Sequence, residues 1–360
     1  MMRIVFSAGG TGGHLYPALA LAEYIKSQDK QAQILFIGSI YRIEATKVKE
    51  YGFDFYGLNI HTPSGSLIKK INGYKDVFFN INTCKKILNK FKPDVVIGFG
   101  GYASYAVLKA SSALNIPYYL HEQNSIIGKA NHQLLNKAQA LICAYPLDLN
   151  TKTPIYNYGN PVSYHVRKSN FANLNDYGLS NELPTILVVM GSQGSMLMDE
   201  VIHKMITNLK PSNYQLIYIS GHNYYEQYQN LKFDDKVRVI AYEDNLPSLI
   251  KSCSLIISRA GASAITEIIS ANKPSILIPS EHVANDHQNK NAQLLLKNEC
   301  VEVIKEAELD EKMLESRIDY LINNSQILDK MALNTKKLNF DDSALLIYQL
   351  LKKEAGEDNE

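Results

Sequence analysis

The sequence predicts an α/β protein of two doubly wound, parallel-sheet domains facing each other across a cleft. Three observations lead there. Short apolar runs alternate with helical stretches along nearly the whole chain, as in βαβ units. A strand, a glycine loop and a helix start open the chain at Ile4–Ile25, and the same device returns at Thr185–Leu209. The 360 residues, 46% of them hydrophobic, are enough for two cores at roughly 150 residues per domain. The expected division is residues 1–160 and 161–340, set by the Gly159-Asn160-Pro161 turn and the polar stretch after it, with a helix at about 341–355 packing back onto the first domain.

In order, Ile4-Val5-Phe6 empties into Ser7-Ala8-Gly9-Gly10-Thr11-Gly12-Gly13-His14. Glycine costs backbone entropy on folding, so a loop this rich in it belongs where backbone must approach something closely or take positive φ. A phosphate docked on helix N-terminal amides is the usual reason. The loop lacks the Gly-Lys-Ser/Thr of a Walker motif and the third glycine of a dinucleotide fingerprint. It ends in His14, which reads either as a general base or as a residue that caps and packs. Next come strands at Ile34–Ile37, Val95–Phe99, Tyr118–Leu120 and Ala140–Ala144, with helices at Glu44–Tyr51 and Tyr102–Leu114. Val95–Phe99 runs into Gly100-Gly101-Tyr102, either a plain tight turn or a second ligand loop. Tyr118–Leu120 runs into His121-Glu122-Gln123-Asn124, polar groups that must bond neighbouring loops or a ligand, with Glu122 a second candidate base.

In the second half Thr185–Val189 leads into Met190-Gly191-Ser192-Gln193-Gly194-Ser195 and a helix from about Met198. Further strands are expected at Gln215–Ser220, Val237–Ile240, Leu255–Ile257, Ser275–Ile278 and Val301–Ile304. Ser258-Arg259-Ala260-Gly261 opens a helix carrying Ala262-Ser263-Ala264-Ile265-Thr266-Glu267, and His287-Gln288 opens another. An acidic group near a nucleotide pocket binds ribose hydroxyls, while a first-turn glutamate also complements the helix dipole, so Glu267 has two readings. Ser343–Lys353 is an amphipathic helix.

Composition excludes several classes. With 37 basic and 36 acidic residues, no global field attracts nucleic acid. The four cysteines are scattered, as free thiols of a reducing compartment would be. No run is long and apolar enough for a signal peptide or a membrane span, so a cytosolic protein is expected. Neither Asp-x-Asp nor His-x-x-x-His occurs, so no metal and no cofactor is implied. Between Ser64 and Lys90, apolar Leu67, Ile68, Phe78 and Phe79 mingle with Lys69, Lys70, Lys85 and Lys86. This pattern is either a helix with a solvated lysine face or one that lies on an anionic bilayer.

In order and spacing, Gly9-Gly10-Thr11-Gly12-Gly13-His14, Gly100-Gly101-Tyr102, His121-Glu122-Gln123-Asn124, Gly159-Asn160-Pro161-Val162, Gly191-Ser192-Gln193-Gly194 and Arg259-Ala260-Gly261-Ala262 with Thr266-Glu267 resemble the MurG family, the bacterial peptidoglycan N-acetylglucosaminyltransferases. The resemblance spans nearly the whole chain. It implies a GT-B fold of two Rossmann-like domains and an inverting, metal-independent transfer from UDP-N-acetylglucosamine to undecaprenyl-diphospho-N-acetylmuramoyl-pentapeptide (lipid I), giving lipid II. The enzyme would work as a peripheral protein at the cytoplasmic face of the membrane, with other cell-wall synthesis proteins as further partners. Thr11, Gly12 and Gly13 would lie near donor and acceptor diphosphate, His14 or Glu122 would be the base, and Asn124 would contact the donor sugar. Ser192 would meet the diphosphate, Glu267 the ribose, Gln288 the sugar hydroxyls, residues 262–266 would line the donor pocket, and backbone near Glu243 and Asp244 would bind uracil. The resemblance favours the membrane reading of Leu67–Lys90.

The chain also departs from the family pattern. Ser163 stands where the family has Arg, with Arg167 four positions on, so another cation replaces that contact or amides alone hold the diphosphate. Met190-Gly191 replaces paired glycines, and Tyr105 stands where a further glycine is common. The alternatives are another GT-B enzyme, such as a UDP-N-acetylglucosamine 2-epimerase or a glycolipid glycosyltransferase, and a nucleotide-binding protein without turnover.

Overall fold

The computed structural model describes residues 1–61, 67–191, 194–208, 213–283, 286–338 and 342–356, apart from the side chains of Ile68 and Lys70. The chain divides into two compact units, one of Met1–Tyr164 with the segment from Asp342 onward, the other of His165–Asp341.

The first unit runs β1 (Arg3–Ser7), α1 (Gly12–Gln28), β2 (Gln33–Ser39), α2 (Glu44–Glu50), β3 (Asp54–Leu58), α3 (Leu67–Phe91), β4 (Val95–Gly98), α4 (Tyr102–Ala113), β5 (Tyr118–Glu122), α5 (Lys129–Leu134), β6 (Ala140–Cys143) and β7 (Ile155–Tyr156). Its seven strands are parallel, in the order β3-β2-β1-β4-β5-β6-β7. Alternating side chains sort the two faces. Ile4, Phe6, Phe36, Ile97 and Ile142 bury against α1 on one side, while Val5, Val96, Leu120 and Leu141 bury against α4 and the inner residues of α3 on the other. Covering both faces is why these strands are continuously apolar. The late helix, Ser343–Glu354, buries Ala344, Ile347 and Leu351 in the core that holds α1, and Tyr348 meets Tyr24 edge to face.

α6 (Ser163–Lys168) leads into the second unit. There β8 (Thr185–Val189), α7 (Met196–Thr207), β9 (Gln215–Ile219), α8 (His222–Tyr225), β10 (Val237–Ile240), α9 (Leu246–Ser252), β11 (Leu255–Ser258), α10 (Ala262–Ser270), β12 (Ser275–Leu277), α11 (His287–Lys297), β13 (Val301–Val303), α12 (Glu311–Ile322) and α13 (Ser325–Lys337) follow, before α14, the late helix that returns to the first unit. Six parallel strands lie in the order β10-β9-β8-β11-β12-β13. One face packs Ile186, Val188, Leu255 and Ile257 against Met198 and Ile202 of α7 and Leu314 and Ile318 of α12. The helix expected from Met198 begins two residues earlier.

Strand order reverses between β1 and β4 in one sheet and between β8 and β11 in the other. Such switch points leave a crevice beyond the strand carboxyl ends. The glycine loops of both units fall there.

Candidate active site

In the first unit the β1–α1 loop and the β4–α4 turn flank the switch point and rest on each other. Gly100 and Gly101 both have positive φ, 97° and 90°. A Cβ on Gly100 would stand 3.2 Å from His14 Nε2, and one on Gly101 would collide with the Gly9 carbonyl. The double glycine is therefore required by close approach of the first loop, beyond what a tight turn asks. Thr11 is the extended N-cap residue of α1, but its hydroxyl makes no capping bond and lies 3.3 Å from His14 Nδ1. Gly12 and Gly13 open the helix, so their amides point along its positive end. His14 Nδ1–H donates to Gly9 O at 3.0 Å. A carbonyl only accepts, so this bond places the proton on Nδ1 and leaves Nε2, beside Gly100, as the basic nitrogen of the neutral ring.

Glu44, opening α2, was not singled out in the sequence. Its buried carboxylate accepts from the Ser39 amide at 3.1 Å and lies in contact range of Gly9. Burial raises its pKa. It props the glycine loop from beneath. The one sequence signal was an acidic residue in the first turn after a strand, which a solvated helix shows equally.

The polar quartet after β5 is internal. His121 is fully buried, its Nε2–H donates to Gly159 O at 3.1 Å, and its Nδ1 accepts from Gln123 Nε2, which also donates to Phe99 O. Burial pushes its pKa down to about 4, with nearby His14 adding in the same direction, so His121 is neutral. Glu122 does not have the surroundings of a base. Its Oε1 accepts from the Asn124 amide and side chain, at 3.2 and 3.3 Å, and its Oε2 from Gly128 N at 2.8 Å and Asn131 Nδ2 at 2.9 Å. A 2% exposed carboxylate with both oxygens so engaged orders the loop that presents Asn124. Ser163 begins α6, fully buried, with no hydrogen-bond partner for its hydroxyl. Arg167, four positions on in the same helix, lines a cavity of the second unit.

In the second unit Arg259 ties the switch-point loops together. Its guanidinium donates to Ser195 Oγ at 2.6 Å, to Ile278 O at 3.1 Å and to the Glu306 carboxylate at 2.5 Å. Glu306 also accepts from Glu281 N. Burial works against its ionised form, but that amide and Arg259 hold its pKa below the usual value. Residues 262–265 supply the first-turn amides of α10, entered from Gly261 without a side-chain cap. The Thr266 hydroxyl donates back to Ala262 O at 2.9 Å. Glu267 follows in a desolvated position that raises its pKa to about 7. Gln288 accepts from Ser280 N through Oε1. The Glu243 carboxylate accepts from Tyr177 OH at 2.7 Å and Asn245 N at 2.8 Å, fixing the loop after β10. Ser192 lies outside the described residues. Among the described residues no three His, Cys, Asp or Glu side chains converge as a metal-ligand set.

Helix α3 turns Val77, Cys84, Ile87 and Leu88 inward and leaves Leu67, Ile71, Tyr74, Phe78 and Phe79 exposed, the two phenylalanines 71% and 70%. Lys69 and Lys86 are also exposed and Lys85 is partly so. Ile68 and Lys70 are placed in the helix, but their side chains lie outside the described residues. Among the described residues no helix is long and apolar enough to cross a membrane.

Models of the N-terminal and C-terminal domains of glycosyltransferase family 28 match residues 4–142 and 185–347. With two doubly wound domains, each carrying a glycine loop at its switch point, this is a glycosyltransferase of the GT-B fold. The crystal structure of Acinetobacter baumannii MurG shares that fold with a TM-score of 0.75 at 22% identity, over 98% of this chain and 99% of that one. The UDP-N-acetylglucosamine--N-acetylmuramyl-(pentapeptide) pyrophosphoryl-undecaprenol N-acetylglucosamine transferase of Leuconostoc citreum is 37% identical over 97% of this chain and 98% of its own, and that of Pediococcus pentosaceus 34% over 98% and 99%. The chain belongs to the MurG family.

Proposed function

We infer that this enzyme transfers N-acetylglucosamine from UDP-N-acetylglucosamine to the muramoyl 4-hydroxyl of lipid I, giving lipid II and UDP in peptidoglycan synthesis. Similarity to transferases of that name over nearly the full length of both chains carries the reading. The acceptor oxygen attacks the anomeric carbon while the bond from that carbon to the diphosphate breaks, and its electron pair leaves with UDP. The configuration inverts and the hydroxyl proton needs a base. We assign that proton to His14 Nε2, supported by the Nδ1–H bond to Gly9 O, which sets the tautomer. Glu122 is a positioning residue for Asn124, which would meet the donor sugar. Thr11, Gly12 and Gly13 would receive a diphosphate on the amides of α1.

The donor would bind the second unit, its diphosphate at Ser192 and the first-turn amides of α10, residues 262–265. Glu267 would take the ribose, Gln288 the sugar hydroxyls, and backbone near Glu243 the uracil. Neither diphosphate requires a metal on this reading. The exposed aromatic stripe of α3 and its lysines would rest on the anionic cytoplasmic surface of the membrane, where the polyprenyl acceptor resides. The decisive assay is transfer of labelled N-acetylglucosamine to a short-chain lipid I analogue with EDTA present. Labelled disaccharide-lipid is the expected product, whereas UDP release or an epimerised sugar without it would overturn the reading.

A further inference from the structure

Glu44 is a buried carboxylate for which the transfer chemistry gives no role. Its side chain leaves the first turn of α2 and ends against the β1–α1 loop, along a route cleared by glycine. A Cβ on Gly38 would stand 2.7 Å from Glu44 Cγ, and one on Gly9 would stand 3.4 Å from Glu44 Oε1. Glu122, which orders its own loop, is met by four donors. Among the described residues Glu44 has one, Ser39 N at 3.1 Å, and its Oε2 is buried without a hydrogen bond. A carboxylate 1% exposed and so sparsely bonded is poorly screened, and its field reaches the groups beside it.

Beside it lies the peptide that joins Gly9 to Gly10. Burial raises the pKa of Glu44, and the Gly10 N–H is among the backbone groups that act against burial by favouring the ionised form. The carbonyl of the same peptide, Gly9 O, accepts from His14 Nδ1–H at 3.0 Å, and Gly101 lies against that carbonyl. One peptide thus has the carboxylate toward its amide end and the imidazole at its carbonyl end. Negative charge at the N–H end of a peptide pushes electron density onto its oxygen, which becomes a stronger acceptor. A stronger acceptor at Nδ1–H favours the imidazolium, in which that bond is charge-assisted. The other titratable groups around the pair do not supply this effect. Arg42 favours the ionised form of Glu44, and His121, near His14, is neutral through burial.

We propose that Glu44 is a positioning residue for His14, acting through the Gly9–Gly10 peptide to hold the Nδ1–H bond and to make Nε2 a stronger base. This deepens the assignment of His14 as the base and rests on it. The proton of the acceptor hydroxyl goes to Nε2, Nδ1 keeps its own, and Glu44 takes none. The test reads His14 without turnover. In protein made with isotope-labelled histidine, His14 is titrated by NMR, its resonance identified by its absence from His14→Ala. Glu44→Gln should lower the titration midpoint by about one pH unit, a tenfold loss of proton affinity, as removal of one poorly screened charge implies. The acid limb of kcat should move down with it. Glu44→Asp, which keeps the charge one methylene further back, should move both by less, and Glu44→Met serves if Glu44→Gln fails to fold. A folded variant of lower thermal midpoint whose His14 titrates as in the parent would overturn the proposal and leave Glu44 a strut. A shifted titration with an unshifted acid limb would uphold the link from Glu44 to His14 and remove His14 as the base.

Discussion

The Cα of Gly101 lies so close to the Gly9 carbonyl that a Cβ built on residue 101 would stand 2.4 Å from that oxygen. The obstacle is backbone, which cannot rotate aside, and φ at Gly101 is also positive. Gly101→Ala should therefore cost at least about 2 kcal/mol in urea unfolding, from strain and overpacking together. Turnover should fall as well, because the shifted loop carries His14. Unchanged stability with unchanged turnover would mean that the two loops do not bear on each other.

His14→Ala should lower kcat by about 10² to 10⁴, the usual worth of a general base, and leave UDP affinity intact. Calorimetric UDP binding beside steady-state kinetics separates the two quantities. A variant with the parent kcat would remove His14 from the proton transfer.

Glu122→Gln tests a positioning role against a catalytic one. The amide keeps one acceptor and turns a donor toward the N–H groups of Asn124 or of Gly128 and Asn131, leaving buried donors unmatched at about 1–3 kcal/mol. We expect a lower thermal midpoint and a lower kcat, with the acid limb of the pH–rate profile where it was. Loss of that limb in Glu122→Gln, and its survival in His14→Ala, would reverse the assignment.

If Glu267 takes the ribose as proposed, both stability and UDP binding should depend on pH through it. Its folded pKa is raised to about 7, so between the unfolded value and 7 the native state holds more protons than the unfolded one. Its contribution to stability is thus present at low pH and lost as pH rises toward 7. UDP should behave oppositely, because ribose hydroxyls favour the ionised carboxylate: affinity should rise about tenfold from pH 6 to pH 8. Running Glu267→Gln in parallel subtracts the ligand's own titration. Identical pH profiles for the two proteins would dissociate Glu267 from the ribose.

On α3, Lys85→Glu with Lys86→Glu should weaken sedimentation with anionic vesicles by more than tenfold, at about 1 kcal/mol per lysine removed and more for reversal. Activity on a soluble acceptor should persist. Vesicle binding indifferent to these charges would leave α3 as an ordinary solvated helix.

The alternation of apolar strands and helices was legible because both faces of each central strand are covered. The edge strands of the first sheet were not. In β3 residues 54–57 alternate between exposed and partly buried and only Leu58 is buried, and β7 is only Ile155–Tyr156, so neither shows a continuous apolar run. The glycine loops at the two switch points stood out from composition alone. The task of Glu122 did not, because it depends on donors from Asn124, Gly128 and Asn131 that only the folded loop brings together. Arg259 stood out as part of a motif, yet its partners Ser195, Ile278 and Glu306 come from three other segments.

The return of α14 to the first unit has a consequence for synthesis. Ala344, Ile347 and Leu351 complete the apolar layer that α1 begins, and residues 165–341 must leave the ribosome before they do. Until then the α1 side of the nascent first unit has part of its apolar surface open to water, an invitation to chaperones and to self-association. The second unit, continuous in sequence, can close its core first, so the order of completion during translation is the reverse of the order of the units along the chain.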